Sequence, residues 1–300
     1  MPAAAQDTTQ AHRYYQQALD ELVPDAPGDA ELDAARGFFQ QSAAAFAQAG
    51  HPERAWHIRA QTGRTWMRAQ DFAQAWGWYQ QQLPQAREAL PDTSQALAAL
   101  LNAAGVAADS LQKDEQAIQL YEEAMQIRRG KHGEKHPSVS QSYANMARHY
   151  EQQGDAKQAI YYYRAALGTA MLAGSMGEAR LAEDYYRLAL LHYQVQDWRW
   201  ALDMLGDALN QYRFVGQEDH PHVADLYHYQ GVVFWRWKQD TARAIRSLQE
   251  ALPRRRQAHG QQSPAAAATA AALGGLLRYT GSPDAPERPR QLLASALEDL

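Results

Sequence analysis

Six histidines, His132, His136, His149, His220, His222 and His228, are the side chains in this 300-residue chain best suited to hold a metal ion or to carry a proton near neutral pH. A zinc site would need them at a spacing that brings several ligands together, as in HExxH, and no such close set occurs. Most of the six fall in short segments between helical stretches, so they are read as turn or surface residues, and neither a metal nor a cofactor is expected. Serine, histidine and aspartate are all available for nucleophilic chemistry, yet no nucleophile elbow with its strand-turn-helix context frames them. The glycines form neither GxGxxG nor a P-loop, so phosphate cradling is unsupported. The run Arg254-Arg255-Arg256 ends a helical stretch, where its charges are expected to face water and complement the helix dipole. Nothing here points to catalysis, and the chain is read as a non-enzyme.

The elements that would have to position such residues are helical. In HPSVSQSYANMARHYEQQGDAKQAIYYYRAAL, residues 136–167, Tyr143, Met146, Ala147 and Tyr150 recur at helical spacing; Gly154-Asp155 breaks the pattern; and Ala159, Tyr163 and Ala166 resume it. This is helix, turn, helix. Small residues at Ala147, Ala159 and Ala166 let two helices cross at about 8–10 Å, and the tyrosines fill the space beside them. The unit recurs. Its first small position gives Gly63, Gly105, Ala147, Ala189 and Gly231 at steps of 42, with Gly274 a further 43 on. Its second-helix alanine gives Ala75, Ala117, Ala159, Ala201 and Ala244, at steps of 42, 42, 42 and 43.

This small-large pattern resembles the tetratricopeptide repeat, and the long period resembles the variant of kinesin light chains and bacterial signalling proteins. The junctions RRGKHGEKHPSV (128–139), GQEDHPHV (216–223) and RRRQAHGQQSPAA (254–266) carry the same likeness: a basic helix end, a glycine turn and a proline restart. Pro137, Pro221 and Pro264 each lie 10 residues before their repeat's small residue, at a first-turn position that needs no amide donor. Arg59 and Thr62, and Leu205 and Leu248 in place of the second-helix aromatic, depart from the pattern. The resemblance implies an all-α fold, a right-handed superhelical solenoid of antiparallel helix pairs. It implies six repeats over 51–300, at about 52–90, 93–132, 137–174, 178–215, 221–259 and 264–300, after capping helices or a degenerate repeat in 1–50.

In this family ligands lie along the concave face. Carried onto this sequence, that groove would contain Arg64, Arg68, Asn102, Arg148, Gln152, Tyr186, Tyr193, His228, Trp235, Arg236 and Arg278. Beside them would stand His57, Met67, Asp109, Gln141, Glu151, Glu183, Gln194 and Asp225. Asn145 resembles an asparagine that kinesin light chains place before the helix-crossing pair. The implied function is a non-catalytic scaffold or adaptor that binds a peptide or protein segment in the groove. The alternative is a regulatory sensor whose superhelix responds to a signal peptide and controls an effector.

Composition agrees with helices: alanine, glutamine and leucine abound, and alternating strand-like runs are missing. A formal net charge of −5 gives no general attraction to nucleic acid. No apolar run is long enough to span a membrane and no secretory leader is evident, so a cytoplasmic protein, monomeric or weakly self-associating, is expected. The absence of cysteine excludes disulfides and thiolate metal sites. Residues 1–8 are expected to be disordered, 9–22 and 30–48 to form capping helices, and 288–300 to close the far end with Leu292, Leu293, Ala296, Leu297 and Leu300 on one face. Pro84 and Pro253, inside second helices, are expected to shorten or kink them.

Overall fold

The computed structural model describes residues 8–23, 27–175 and 179–280. The expected disorder of 1–7 and the expected closing helix of 288–300 lie outside them. The described residues form helices joined by short turns, with no strand among them. Two compact units divide the chain, Met1–Gly154 and Asp155–Leu300. The first holds α1 (Thr9–Glu21), α2 (Asp29–Gln48), α3 (Pro52–Arg68), α4 (Phe72–Ala89), α5 (Gln95–Ser110), α6 (Asp114–His132) and α7 (Pro137–Gln152). The second holds α8 (Ala156–Leu172), α9 (Ala179–Gln194), α10 (Trp198–Phe214), α11 (Pro221–Val233), α12 (Thr241–His259) and α13 (Pro264–Tyr279). Within each unit successive helices pack on one another, and α3 also packs on α5, the first helix of the next repeat.

The small-large pattern does what its spacing predicts. A Cβ placed on Gly63 would lie 2.3 Å from the ring of Tyr79, and one on Gly105 would lie 2.7 Å from Tyr121. At Gly231 it would lie 2.8 Å from Leu248 and 3.1 Å from the Ala244 carbonyl, so leucine takes the aromatic's place against the same small position. Tyr79 is fully buried, and its hydroxyl donates to the Ala60 carbonyl at 3.0 Å. Gly63→Ala should therefore lower the urea midpoint by an amount worth about 1–3 kcal/mol, the usual cost of overpacking. Combining it with Tyr79→Leu should recover part of that loss; simple additivity of the two changes would show that they do not meet.

Each repeat turns the same way. Gln70, Gln112, Gly154, Gln196 and Gln239 take positive φ, at steps of 42, 42, 42 and 43. Only one of these is glycine, so four glutamines hold a left-handed conformation that costs an L-residue roughly 1–2 kcal/mol. The adjacent residue supplies the next helix's cap: Asp71, Asp155 and Asp240 accept from the amides of Gln74, Gln158 and Arg243 at 3.1, 3.0 and 2.9 Å. The His-Pro restart has a comparable basis. The Nδ1 of His136 accepts from the Ser138 amide at 3.2 Å, and that of His220 from the His222 amide at 3.3 Å, so the histidine caps the helix whose first residue is proline.

The single irregular step of the ladder also has a location. Small residue and left-handed residue are seven apart in the first four repeats but eight apart from Gly231 to Gln239. The additional residue lies in Phe234–Lys238, where α11 widens into a π turn. The closing bond reflects it: Asp71 N and Asp197 N reach back to Trp66 O and His192 O, whereas Asp240 N reaches one residue further, to Phe234 O at 3.1 Å.

Two interior prolines do not end their helices. α4 runs on past Pro84 to Ala89, and α12 past Pro253 to His259, so neither helix is shortened. Both prolines are exposed, as are Gln80 and Gln249, whose carbonyls lose the usual amide partner and can be met by water instead.

Candidate functional site

In the first unit the predicted groove residues stand on α3, α5 and α7. Arg64 and Arg68 are exposed on α3, with Arg64 Nη1 3.4 Å from Gln61 Oε1 and Arg68 Nη1 3.4 Å from the Leu22 carbonyl. His57 and Gln141 are exposed and Met67 half-buried. Asn102 is not a free groove amide. It is buried, and its Oδ1 accepts from Asn145 Nδ2, while Asn145 Oδ1 accepts from Arg148. The row Asn102, Asn145, Arg148 thus ties α5 to α7 and holds the guanidinium in place. Asp109 accepts from Tyr121 at 3.4 Å and pairs with His149 Nδ1 at 2.7 Å, so His149 is a buried residue of α7 and not a turn histidine. Burial and then Asp109 push the Tyr121 phenol above its ordinary range. Gln152 is exposed and Glu151 half-buried.

Beneath this face lies a buried arginine that the sequence does not single out. Arg128 donates to Ser142 Oγ at 2.8 Å and lies 3.4 Å from the Ser138 carbonyl, joining the end of α6 to the start of α7. Burial, and then the charge of Arg64, lower its guanidinium to about 10, still charged at neutral pH.

In the second unit the aromatic candidates come together in pairs. Tyr186 of α9 stacks on His222 of α11 with ring centres 3.9 Å apart and planes 5° apart. Tyr193 of α9 meets Tyr229 of α11 edge to face at 4.8 Å and Trp198 at 5.5 Å. Trp235 meets Tyr279 at 4.9 Å. Tyr229, Trp198 and Tyr279 were not among the predicted residues; a search for aromatics one turn away on the same helix face would have found Tyr229. Trp237, 36% exposed, carries Lys238 Nζ 3.6 Å from its ring centre. Gln194, Arg236 and Arg278 are exposed.

The charged candidates of this unit are occupied with one another. Glu183 pairs with Arg187 at 2.7 Å and with His222 at 2.8 Å. Burial pushes the Glu183 carboxyl up, but His222 and Arg187 outweigh it and hold the group at about 2. Asp225 accepts from Arg255 Nε at 2.8 Å and from Tyr186 at 3.4 Å. His228 is half-buried, with Nδ1 3.1 Å from Thr269 Oγ1; burial, and then Arg255, lower it to about 3, so the imidazole is neutral. The expectation for the basic run also needs correction. Arg254 and Arg256 are half-buried, but Arg255 is 5% exposed and donates to Asp225, the Ala265 carbonyl and Thr269. It sits three repeats beyond Arg128 and does the same task.

The first helices of the first unit thus carry exposed Arg64 and Arg68, and those of the second unit carry half-buried aromatics with exposed Arg236 and Arg278; each unit also holds one buried arginine network. Such a surface can stack on apolar groups and pair with carboxylates. No described helix is long and apolar enough to cross a membrane.

Comparison with known proteins agrees with this architecture. The Tetratricopeptide repeat model matches residues 95–171 and 179–257, just over half of the chain. No curated protein matches it. Among solved structures, BtubC (BKLC) from P. vanneervenii is 20% identical over 76% of this chain and 90% of its own, with a TM-score of 0.59. The STAND protein with a tetratricopeptide repeat sensor from Pyrococcus horikoshii is 15% identical over 96% of this chain and 42% of its own, with a TM-score of 0.70. A Rap protein complexed with Competence and Sporulation Factor is 11% identical over 91% of this chain and 76% of its own, with a TM-score of 0.57. At these identities the likeness is one of fold, and with the repeat model it leads to one conclusion: the chain belongs to the tetratricopeptide repeat family.

Proposed function

We propose that this protein is an interaction module that holds a peptide or extended protein segment against its first-helix faces. The observation that carries the reading is the aromatic pairing across α9 and α11, Tyr186 on His222 and Tyr193 on Tyr229, with arginines exposed elsewhere on the first helices. Half-buried aromatic rings in fixed orientation are what an apolar anchor needs, because little side-chain freedom is lost on binding. In the first unit the braced Arg148 supplies a charge for a carboxylate. A structural neighbour of similar fold is complexed with Competence and Sporulation Factor, which is consistent with ligand capture by such a scaffold.

Trp235→Ala and Arg148→Ala should each weaken binding about tenfold or more, beyond any loss of stability read from their melting temperatures, since a hot-spot aromatic or a charge-assisted contact is worth roughly 1.5–3 kcal/mol. The measurement is titration calorimetry with the partner that a pull-down recovers. If both variants bind like the parent while changes at exposed second-helix residues such as Tyr161 and Phe214 abolish binding, the partner uses the outer helices instead.

A sensor role is the second reading, supported by the STAND protein whose tetratricopeptide repeats are named as its sensor. It requires a ligand-induced change in the array. Small-angle scattering that is identical with and without saturating ligand would eliminate it.

A further inference from the structure

We infer that the first unit contains a site for a divalent transition-metal ion, formed by Asp109 near the end of α5, Asp114 at the start of α6 and His149 in α7. One ligand atom from each lies within 4.8 Å of the others. The three come from three successive helices, and a cleft of about 520 Å³, lined by Asp109, Asp114, Gln152 and Gln153 among others, opens beside them with room for water ligands.

Repeat register supplies a second, independent argument. The position of His149 is occupied in the other repeats by Thr65, Ala107, Leu191 and Val233, all buried and none a metal ligand. The position of Asp109 is occupied by Met67, Glu151, Tyr193 and Trp235. This repeat alone places a buried imidazole where packing asks for a small or apolar side chain, and faces it with carboxylates from two other helices. The pair His149 and Asp109, 2.7 Å apart, would be satisfied by a hydrogen bond between them. Asp114 stands in the first turn of α6, where its charge complements the helix dipole. Its carboxylate accepts from Gln153 Nε2 at 2.6 Å and stands close to Asp109, so a cation placed between the two would be attracted by both.

One imidazole and two carboxylates suit zinc or manganese-type ions better than calcium or magnesium, which favour all-oxygen sets. Water would complete the coordination. An ion on His149 Nδ1 would need that nitrogen as an acceptor, with the one proton of the neutral imidazole carried on Nε2 instead. A bound ion would bridge α5, α6 and α7, next to the Asn102, Asn145 and Arg148 row.

The test uses the full chain stripped with chelator and titrated calorimetrically with zinc chloride alone, with magnesium chloride for comparison. The parent should bind about one equivalent of zinc, more tightly than magnesium, and zinc should raise its melting temperature. Asp114→Asn and His149→Gln should each weaken zinc binding at least tenfold and remove the thermal shift. Asp114 is half-exposed, so its variant should keep the parent's circular dichroism and remain informative even where His149→Gln fails to fold. No zinc binding by the parent overturns the inference. So does parent-like binding by Asp114→Asn, which would assign the ion elsewhere, for example to the stacked pair His132 and His136.

Discussion

Arg255→Ala should cost about 3–5 kcal/mol of stability, while Arg254→Ala, one residue earlier, should cost less than about 1 kcal/mol. The two side chains are adjacent in a run of identical residues, so charge and helix propensity are matched. What differs is where they lie. Arg255 is 5% exposed and ties three helices together, donating from α12 to Asp225 of α11 and to the Ala265 carbonyl and Thr269 hydroxyl of α13. Truncating it takes from a half-buried carboxylate its charged donor and from a buried hydroxyl one of its partners. Arg254 pairs with Glu250 on its own helix and lies over Tyr227 at the surface. Urea denaturation of both variants decides the matter. Equal midpoints would mean that the buried arginine is not a structural tie.

Acid should unfold the second unit in a window set by two groups whose protonation changes on folding. The ordinary pKa of His228 is 6.5 and the fold lowers it to about 3, so the neutral imidazole is the folded form. Its contribution is complete above pH 6.5 and is lost as pH falls from there toward 3. Near pH 4 this histidine alone should cost the folded state roughly 3 kcal/mol, taking about 1.4 kcal/mol per pH unit. Glu183 adds a later loss. Its pKa falls from 4.5 to about 2, so the stability it contributes is present above pH 4.5 and disappears as pH drops toward 2. His228→Gln, which keeps a polar group beside Thr269, should flatten the upper part of the curve and leave the lower part. Urea midpoints of parent and variant that fall in parallel between pH 7 and 4 would refute the assignment to His228.

Much of the scaffold is legible in the sequence because each repeat must make the same close crossing. Gly63, Gly105 and Gly231 announce themselves by periodic smallness, and the structure seats Tyr79, Tyr121 and Leu248 against them. The left-handed turn residues are less visible. Glutamine has no preference for positive φ, and only the ladder of Gln70, Gln112, Gln196 and Gln239 around Gly154 reveals the position. The candidate site was legible in part. Aromatic residues on first helices could be located by register, but Glu183, Asp225, His228 and Asn102 look like groove residues until their neighbours are known, and each is held by another side chain. Arg255 shows the same limit from the other side: a triple-arginine run reads as solvated charge, and only the carboxylate supplied from thirty residues earlier shows that its middle member points inward.

The π turn at Phe234–Lys238 bears on how such a chain can change its length. One additional residue has entered the middle of an otherwise regular series, and it is absorbed within a single turn of one helix. Gln239, Ala244, Pro264 and Gly274 then follow in phase, each displaced by one and none out of place relative to the others. Insertions in a globular core propagate, because every element is braced against distant ones. In a serial architecture the error is confined to the turn that receives it, which makes helix interiors, and not only loops, places where descendants of one array can differ in length while keeping every later contact.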